Sequence, residues 1–246
     1  MSLRDGFPCW VDLGVHDVDA ALAFYAEAMG WRAGERSGPE FGGYAMWFCG
    51  DVPTAGVGPA RGGTPACWTT YLATSDIDRT LALVEPAGGG VTTPVMVIGP
   101  LGRMAVVHDP VGATFGLWEA HDFAGFPPGG EPGFLDWCVV ETADVDASRT
   151  FLQALFGFEV QVPEPDPGSI GYLQLGNDGI PAIGVRPIAG DTSAWMAYFS
   201  VDDVDAVAGR VLTAGGRLLR ESTTGAVGTM ATLADPEGAS FSVISS

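Results

Sequence analysis

The sequence predicts an α+β protein built as two tandem copies of one domain. Three observations carry this: a repeat of domain length, an aspartate-started helix pattern that recurs four times, and alternating apolar strands between those helices. At 246 residues the chain has room for two domains of about 120 residues each. The stretch DPVGATFGLWEA (Asp109 to Ala120) returns near the end as DPEGASFSVISS (Asp235 to Ser246). WVDLGVHDVDAALAFYAEAMGW (Trp10 to Trp31) aligns with WCVVETADVDASRTFLQALFGF (Trp137 to Phe158). WTTYLATSDIDRTLALVEPAGG (Trp68 to Gly89) aligns at the same offset with WMAYFSVDDVDAVAGRVLTAGG (Trp195 to Gly216). The seam, HDFAGFPPGGEPG over residues 121–133, has the Pro and Gly density that breaks regular structure. The expected organisation is a first domain over 1–122, a linker over 123–132 and a second domain over 133–246.

Within each copy a finer unit repeats. Each unit opens with an alternating apolar strand and then an Asp-x-Asp pair, at Asp17 and Asp76 in the first copy. Aspartate there caps orphan backbone N–H groups and suits the positive end of the helix dipole. Val18, Ala21, Leu22, Tyr25 and Met29 fall on one predicted helical stripe. Gly30 and Gly157 end the first helices, and Gly88-Gly89-Gly90 and Gly215-Gly216 the second ones. Short strands follow: YAMWFCG, GRMAVVHD and ATFGLWEA in copy one, GYLQLGN, GTMATLAD and ASFSVIS in copy two. Each quarter of the chain therefore reads strand–helix–strands, and four such units make an α+β fold.

Composition narrows the function. Acidic residues number 30 against 11 basic ones, all arginine, for a net charge of −19. Such a chain repels nucleic-acid phosphates and anionic lipid, so neither is an expected partner. No apolar run approaches the roughly 20 residues of a membrane span. MSLRDGFPCW has no signal-peptide core. Cys9, Cys49, Cys67 and Cys138 form no C-x-x-C pair and are expected as free, buried thiols in a cytoplasmic protein.

The strand-"D-hydrophobic-D"-helix-"G-W/F" opening, the D-P-x-G turn before the last strand, and the strand–helix–three-strand quarter resemble the vicinal-oxygen-chelate superfamily. That group includes glyoxalase I, extradiol dioxygenases and bleomycin-resistance proteins. The resemblance covers nearly the whole chain, as in tandem two-domain glyoxalase-like proteins of actinobacteria. It implies two βαβββ units per domain, forming a curved, half-open mixed β-sheet barrel with helices outside. It also implies a divalent-metal slot in each domain, with ligands from the first strand of each unit and the last strand of the domain. In this sequence those slots hold Trp10, Thr69 and Gly116, and Trp137, Met196 and Ser242. None is a good metal ligand. Glu119 stands at odd spacing from Gly116, so strand alternation sends it to the other face. His16, His108 and His121 lie away from the slots. The expectation is no cofactor, with a divalent metal disfavoured.

Alternation instead places aromatic and apolar groups on the concave faces. Trp10, Tyr71, Trp118, Trp137, Met196 and Tyr198 are the expected ligand-binding residues, because aromatic faces stack on planar ligands and Met adapts to irregular ones. Asp12 and Glu141 are the carboxylates among them. They are the candidate catalytic residues, able to hold a cationic group or act as general bases. Two functions stay open. One is a metal-independent protein binding a small aromatic or hydrophobic metabolite, for sequestration, resistance or a biosynthetic accessory role. The other is a lyase, isomerase or dioxygenase-type enzyme, either metal-dependent or using Asp12 or Glu141. The expected partner is a small molecule, with the domains paired inside a monomer or weak dimer.

Overall fold

A computed structural model describes residues 3–38, 42–60, 63–126, 129–161, 171–225 and 227–245. Pro127 and Pro128 of the expected linker lie outside the described residues. The first copy runs β1 (Pro8–Val15), α1 (Val18–Met29), β2 (Arg32–Ala33), β3 (Ala45–Cys49), β4 (Val52–Pro59), β5 (Cys67–Ala73), α2 (Ile77–Val84), β6 (Gly90–Ile98), β7 (Gly102–His108) and β8 (Thr114–Ala120). The second repeats this order as β9 (Leu135–Thr142), α3 (Val145–Phe156), β10 (Glu159–Gln161), β11 (Leu173–Asn177), β12 (Ile180–Pro187), β13 (Ala194–Ser200), α4 (Val204–Thr213), β14 (Arg217–Gly225), β15 (Gly228–Ala234) and β16 (Ser240–Ser245). The strands form two mixed eight-stranded sheets, ordered β2-β3-β4-β1-β5-β8-β7-β6 and β10-β11-β12-β9-β13-β16-β15-β14. Neither sheet closes into a barrel among the described residues. The α+β tandem organisation is as the repeat requires.

All four helices begin as expected. Asp17, Asp76, Asp144 and Asp203 sit in extended backbone, and each carboxylate accepts a hydrogen bond from the N–H three residues on, at 2.9–3.0 Å. Gly30 and Gly157 end α1 and α3 in the left-handed conformation, at φ 72° and 67°. The second helices stop earlier than their glycines: α2 is capped by Glu85 and α4 by Ala214. The buried stripe of α1 is also rotated from expectation. Val18, Ala21 and Tyr25 are buried, but Phe24 and Ala28 join them, while Leu22 and Met29 are half-exposed.

Packing divides the chain into two compact units that do not follow the two copies. The first comprises Met1–Trp10, Thr70–Pro127 and Cys138–Met196; the second comprises Val11–Thr69, Pro128–Trp137 and Ala197–Ser246. Each unit therefore takes one strand–helix–strand module from each copy. In the first, α2 packs on α3; in the second, α1 packs on α4.

The core of the second unit is aromatic. Tyr25, Trp31, Trp47, Trp68, Phe199 and Phe241 lie with ring centroids 5.0–6.4 Å apart. The aligned positions in the first unit are Leu152, Phe158, Leu175, Trp195, Leu72 and Phe115, all buried but half of them aliphatic. The D-P-x-G aspartates close the same turn in both units. Asp109 Oδ1 accepts from the N–H groups of Val111 and Ala113 at 3.0 and 2.8 Å. Asp235 Oδ1 accepts from those of Gly238 and Ala239 at 2.8 and 2.9 Å. Gly112 and Gly238 adopt φ of 89° and 99°, which a side chain would strain.

Their second oxygens are held differently. Ser148 Oγ of α3 donates to Asp109 Oδ2 at 2.6 Å. Tyr25 Oη of α1 donates to Asp235 Oδ2 at 3.3 Å and accepts from Trp68 Nε1 at 3.0 Å. Burial raises the Asp235 carboxyl above its ordinary range despite these donors. Leucine 152 stands where Tyr25 would be, so the buried Trp195 Nε1, counterpart of Trp68, has no hydrogen-bond partner among the described residues.

Cysteine placement differs from expectation. All four are free thiols, but only Cys9 and Cys138 are buried; Cys49 is half-exposed and Cys67 exposed. Cys67 opens β5, where the strand has not yet entered the core.

Candidate ligand-binding site

Strand β1 shows why one sheet face is the candidate. Its odd-numbered residues Cys9, Val11, Leu13 and Val15 are 0–1% exposed. On the opposite face Asp12 and Gly14 are part-exposed and Trp10 keeps 7% exposure. The structure places the expected aromatic residues as follows. In the first unit, Trp10 packs edge-on against Phe123, with centroids 5.1 Å apart, and near Phe126 at 6.2 Å. Trp118 packs against the same Phe123 at 6.2 Å and donates from Nε1 to the Phe123 carbonyl at 2.8 Å. The segment after β8 is tied down by Phe126 N–H on the Cys9 carbonyl at 2.6 Å and by Phe123 N–H on the Leu101 carbonyl at 3.1 Å. Trp10 and Trp118 are thus brought together by two linker phenylalanines. Tyr71 lies over Gly116, its register partner on β8; a Cβ there would fall on the Tyr71 ring. In the second copy, Trp137 is half-buried on β9, while Met196 and Tyr198 are buried on β13. Tyr198 pairs in register with Ser242.

The two candidate carboxylates have unlike surroundings. Asp12 pairs in register with Gly56 of β4, and Gly14 pairs with Gly58. Tyr44 lies across both glycines: a Cβ at Gly56 would fall on its hydroxyl, and one at Gly58 would meet its ring at 3.1 Å. Parallel register partners point to one face, so the Tyr44 hydroxyl, which reaches over Gly56 of β4, lies on the same face as Asp12 of the neighbouring β1, strands that run about 4.8 Å apart. Cys67 completes the group; partial desolvation by the protein around its sulfur, then the Asp12 charge, raises its thiol above the ordinary value. Glu141, at the position aligned with Gly14, is 7% exposed and ion-paired with Arg186, its register partner on β12. Arg186 aligns with Gly58, and Val139 with Asp12. Tyr172 repeats Tyr44, with a Cβ at Gly184 meeting its hydroxyl at 2.5 Å.

The residues at the implied metal slots do not fit a divalent ion. Trp10, Trp137 and Gly116 bring no side-chain donor suited to one, Thr69 only a neutral hydroxyl, Met196 only a soft thioether, and the Ser242 hydroxyl is shared with Thr232 at 3.0 Å. No cluster of three His, Cys, Asp or Glu with metal-site geometry occurs among the described residues. Glu119 is a helix-side carboxylate: Oε2 accepts from the Ile77 N–H at the start of α2 at 2.8 Å, and Oε1 pairs with Arg103 at 3.3 Å. The exposed His16 lends its backbone N–H to Glu237, and the ring of His108 bonds the Asp109 carbonyl.

Sequence reasoning missed Tyr44, Arg186, Phe123 and Phe126. Two signals were there to read. The Gly-Tyr pair recurs before β3 and β11, and the aligned VPTAGVGP and IPAIGVRP differ at the glycine that becomes Arg186. The two phenylalanines sit in a segment whose Pro and Gly content reads only as linker.

Comparison with known proteins gives consistent results. The profile of the Glyoxalase/Bleomycin resistance protein/Dioxygenase superfamily matches residues 9–117, and that of the Glyoxalase-like domain matches residues 137–244. A Mycobacterium tuberculosis protein named "Putative glyoxylase CFP32" is 36% identical over 248 residues, covering 98% of this chain and 95% of that protein. The "Anthracycline biosynthesis protein DnrV" of Streptomyces peucetius is 37% identical over 264 residues, covering 97% and 93%. Among solved structures, the Mn(II)-bound glyoxalase from Novosphingobium aromaticivorans has a TM-score of 0.67 at 20% identity, covering 98% of this chain and 82% of that one. The 2,3-dioxygenase LapB from Pseudomonas sp. KL28 has a TM-score of 0.65 at 15% identity, covering 100% and 94%. Those two structures share the fold with this chain.

Proposed function

The chain belongs to the glyoxalase/bleomycin resistance protein/dioxygenase superfamily, and on that premise we propose that it binds a small aromatic or hydrophobic metabolite without a metal ion. The observation that carries this reading is the donor set. The positions that the family resemblance implies as metal-ligand slots carry Trp10, Thr69, Gly116, Trp137, Met196 and Ser242 here, which suit an apolar ring far better than a divalent ion. Trp10, Tyr71, Trp118, Trp137, Met196 and Tyr198 supply the apolar contact surface. The ligand class agrees with the relatives named for anthracycline biosynthesis, since an anthracycline carries a planar fused-ring system. Sequestration, resistance or assistance in a biosynthetic step would each use such a site. Four free cysteines suit a reducing cytoplasm. No described helix is long and apolar enough to cross a membrane.

Titration of the full-length protein with 1,4-dihydroxyanthraquinone, followed by tryptophan fluorescence, tests the reading. The expected result is saturable quenching with the same Kd before and after EDTA treatment. Quenching that appears only after a divalent metal is added would reverse it.

A second reading follows from the setting of Asp12. A carboxylate sharing a face with a phenol and a thiol is placed for acid–base work on a bound ligand. On that reading Asp12→Asn abolishes turnover of a found substrate while the thermal midpoint stays within about 2 °C, as for a substitution outside the core. Glu141, the other candidate carboxylate, is ion-paired with Arg186.

A further inference from the structure

The segment after β8 is fitted closely to the aromatic pair it covers. Trp10 of β1 and Trp118 of β8 are buried, while the rings of Phe123 and Phe126 that lie against them are part-exposed, so the phenylalanines stand on the solvent side. Phe123 is common to the whole cluster. Its centroid is 5.1 Å from Trp10, 6.2 Å from Trp118 and 6.0 Å from Phe126, edge-on in each case. Edge-to-face is also a packing that an aromatic ligand would take on these indoles. Backbone hydrogen bonds hold the segment at both ends. The N–H groups of His121 and Phe123 donate to the Leu101 carbonyl at 2.9 and 3.1 Å, and that of Phe126 donates to the Cys9 carbonyl at 2.6 Å. Gly125 lies so close to β1 that a Cβ there would fall on the Cys9 carbonyl oxygen, and its φ of 77° favours glycine. Trp10, Trp118 and the segment all belong to the first packed unit.

We propose that residues 121–126 are an autoinhibitory strap: Phe123 stands in for the planar ring of a ligand on Trp10 and Trp118, and an aromatic ligand binds the first copy by displacing it. This rests on the binding reading above and adds its regulation. Trp10 and Trp118 are two of the residues expected to meet the ligand, and they are the ones that Phe123 covers. A ligand that packs on both indoles must replace the phenylalanine, because a close-packed contact has no room for a second ring. The strap is suited to local opening. Its rings are already partly in water, and the Phe123 and Phe126 N–H bonds, with the bond from Trp118 Nε1 to the Phe123 carbonyl at 2.8 Å, can pass to water once the segment lifts. While the strap is closed these indoles are unavailable, so the apparent affinity is reduced by the fraction of molecules that are open.

Fluorescence titration with 1,4-dihydroxyanthraquinone tests this on the full-length chain and two variants. Phe123→Ala removes the covering ring. Gly125→Ala keeps both rings but drives a methyl group into the Cys9 carbonyl and so lifts the segment. Each is expected to tighten binding about fivefold or more, with thermal midpoints recorded alongside to establish that both variants fold. Hydrogen exchange on the wild type needs no variant. The peptide spanning 121–126 is expected to exchange severalfold faster with the anthraquinone bound than without it, because displacement frees the amides of Phe123 and Phe126. Binding by the variants alone would also support the strap, as a wild type that is closed too firmly for the ligand to open. Phe123→Ala binding no tighter than wild type, or exchange over 121–126 that stays the same or slows in the complex, would overturn the strap and leave the binding reading in place. No saturable binding by the wild type or either variant would overturn both.

Discussion

Asp109 and Asp235 do the same work in two places, yet their neighbourhoods have diverged. Both are 2% exposed, and both close a D-P-x-G turn with one carboxylate oxygen. Around Asp235 the second oxygen ends a relay from Trp68 through Tyr25, inside an aromatic core. Around Asp109 a serine does the job, leucine replaces the tyrosine, and Trp195 Nε1 has no hydrogen-bond partner among the described residues. The same contrast holds on the ligand face, where Gly14–Gly58 in one copy becomes Glu141–Arg186 in the other. A duplicated domain keeps the groups that shape its turns and helix starts. It varies what those turns hold.

The largest expected effect breaks the shared part. Asp235→Ala leaves the buried Ala239 N–H and the Tyr25 hydroxyl without an acceptor and takes one of two acceptors from the Gly238 N–H; it is expected to cost about 3 kcal/mol or more in urea unfolding, and Asp109→Ala should cost a similar amount. Equal losses confirm a common role, and a tolerated change at either site contradicts it.

The next tests sharpen the difference. Trp68→Phe removes the donor to Tyr25, whereas Trp195→Phe removes a donor that has no partner among the described residues. Both lose similar ring area, so Trp68→Phe is expected to cost about 1 kcal/mol more than Trp195→Phe. On the ligand face, a double-mutant cycle with Glu141→Gln and Arg186→Met is expected to show a coupling of about 1–2 kcal/mol. A coupling near zero would mean that the pair only fills space.

The smallest effect depends on pH. Burial raises the Asp235 carboxyl, so the native state favours its neutral form. The associated stability is complete below the ordinary carboxylate range and is lost as pH rises through the folded value. Asp235→Asn keeps an oxygen acceptor but cannot ionise. Its stability relative to wild type is therefore expected to improve from acid toward neutral pH and then level off. The comparison is made through urea midpoints of the two proteins.

The scaffold was legible because its signals are local. An aspartate before an apolar run caps a helix wherever it occurs, and a glycine after a stripe ends one. Those rules located α1 through α4 and the repeat that relates them. The mixing of the copies into two packed units was not legible, since Ser148 meeting Asp109 and Tyr25 meeting Asp235 are contacts distant in sequence. The candidate site was legible in part. Strand alternation selected Asp12 and Glu141, but Tyr44 and Arg186 depend on register between strands, which no single strand reveals. The α1 stripe was misplaced because Leu22 and Phe24 are both apolar, and packing against α4 decides between them.

The central claim is that two diverged faces on one scaffold serve a metal-independent binding protein. Native mass spectrometry of the purified chain, alone and with 1,4-dihydroxyanthraquinone, tests it most directly. The account predicts the bare polypeptide mass in the first spectrum and a discrete 1:1 organic adduct in the second, unchanged by prior chelation. A mass excess of one divalent ion per site, with the adduct lost once that ion is stripped, would contradict it.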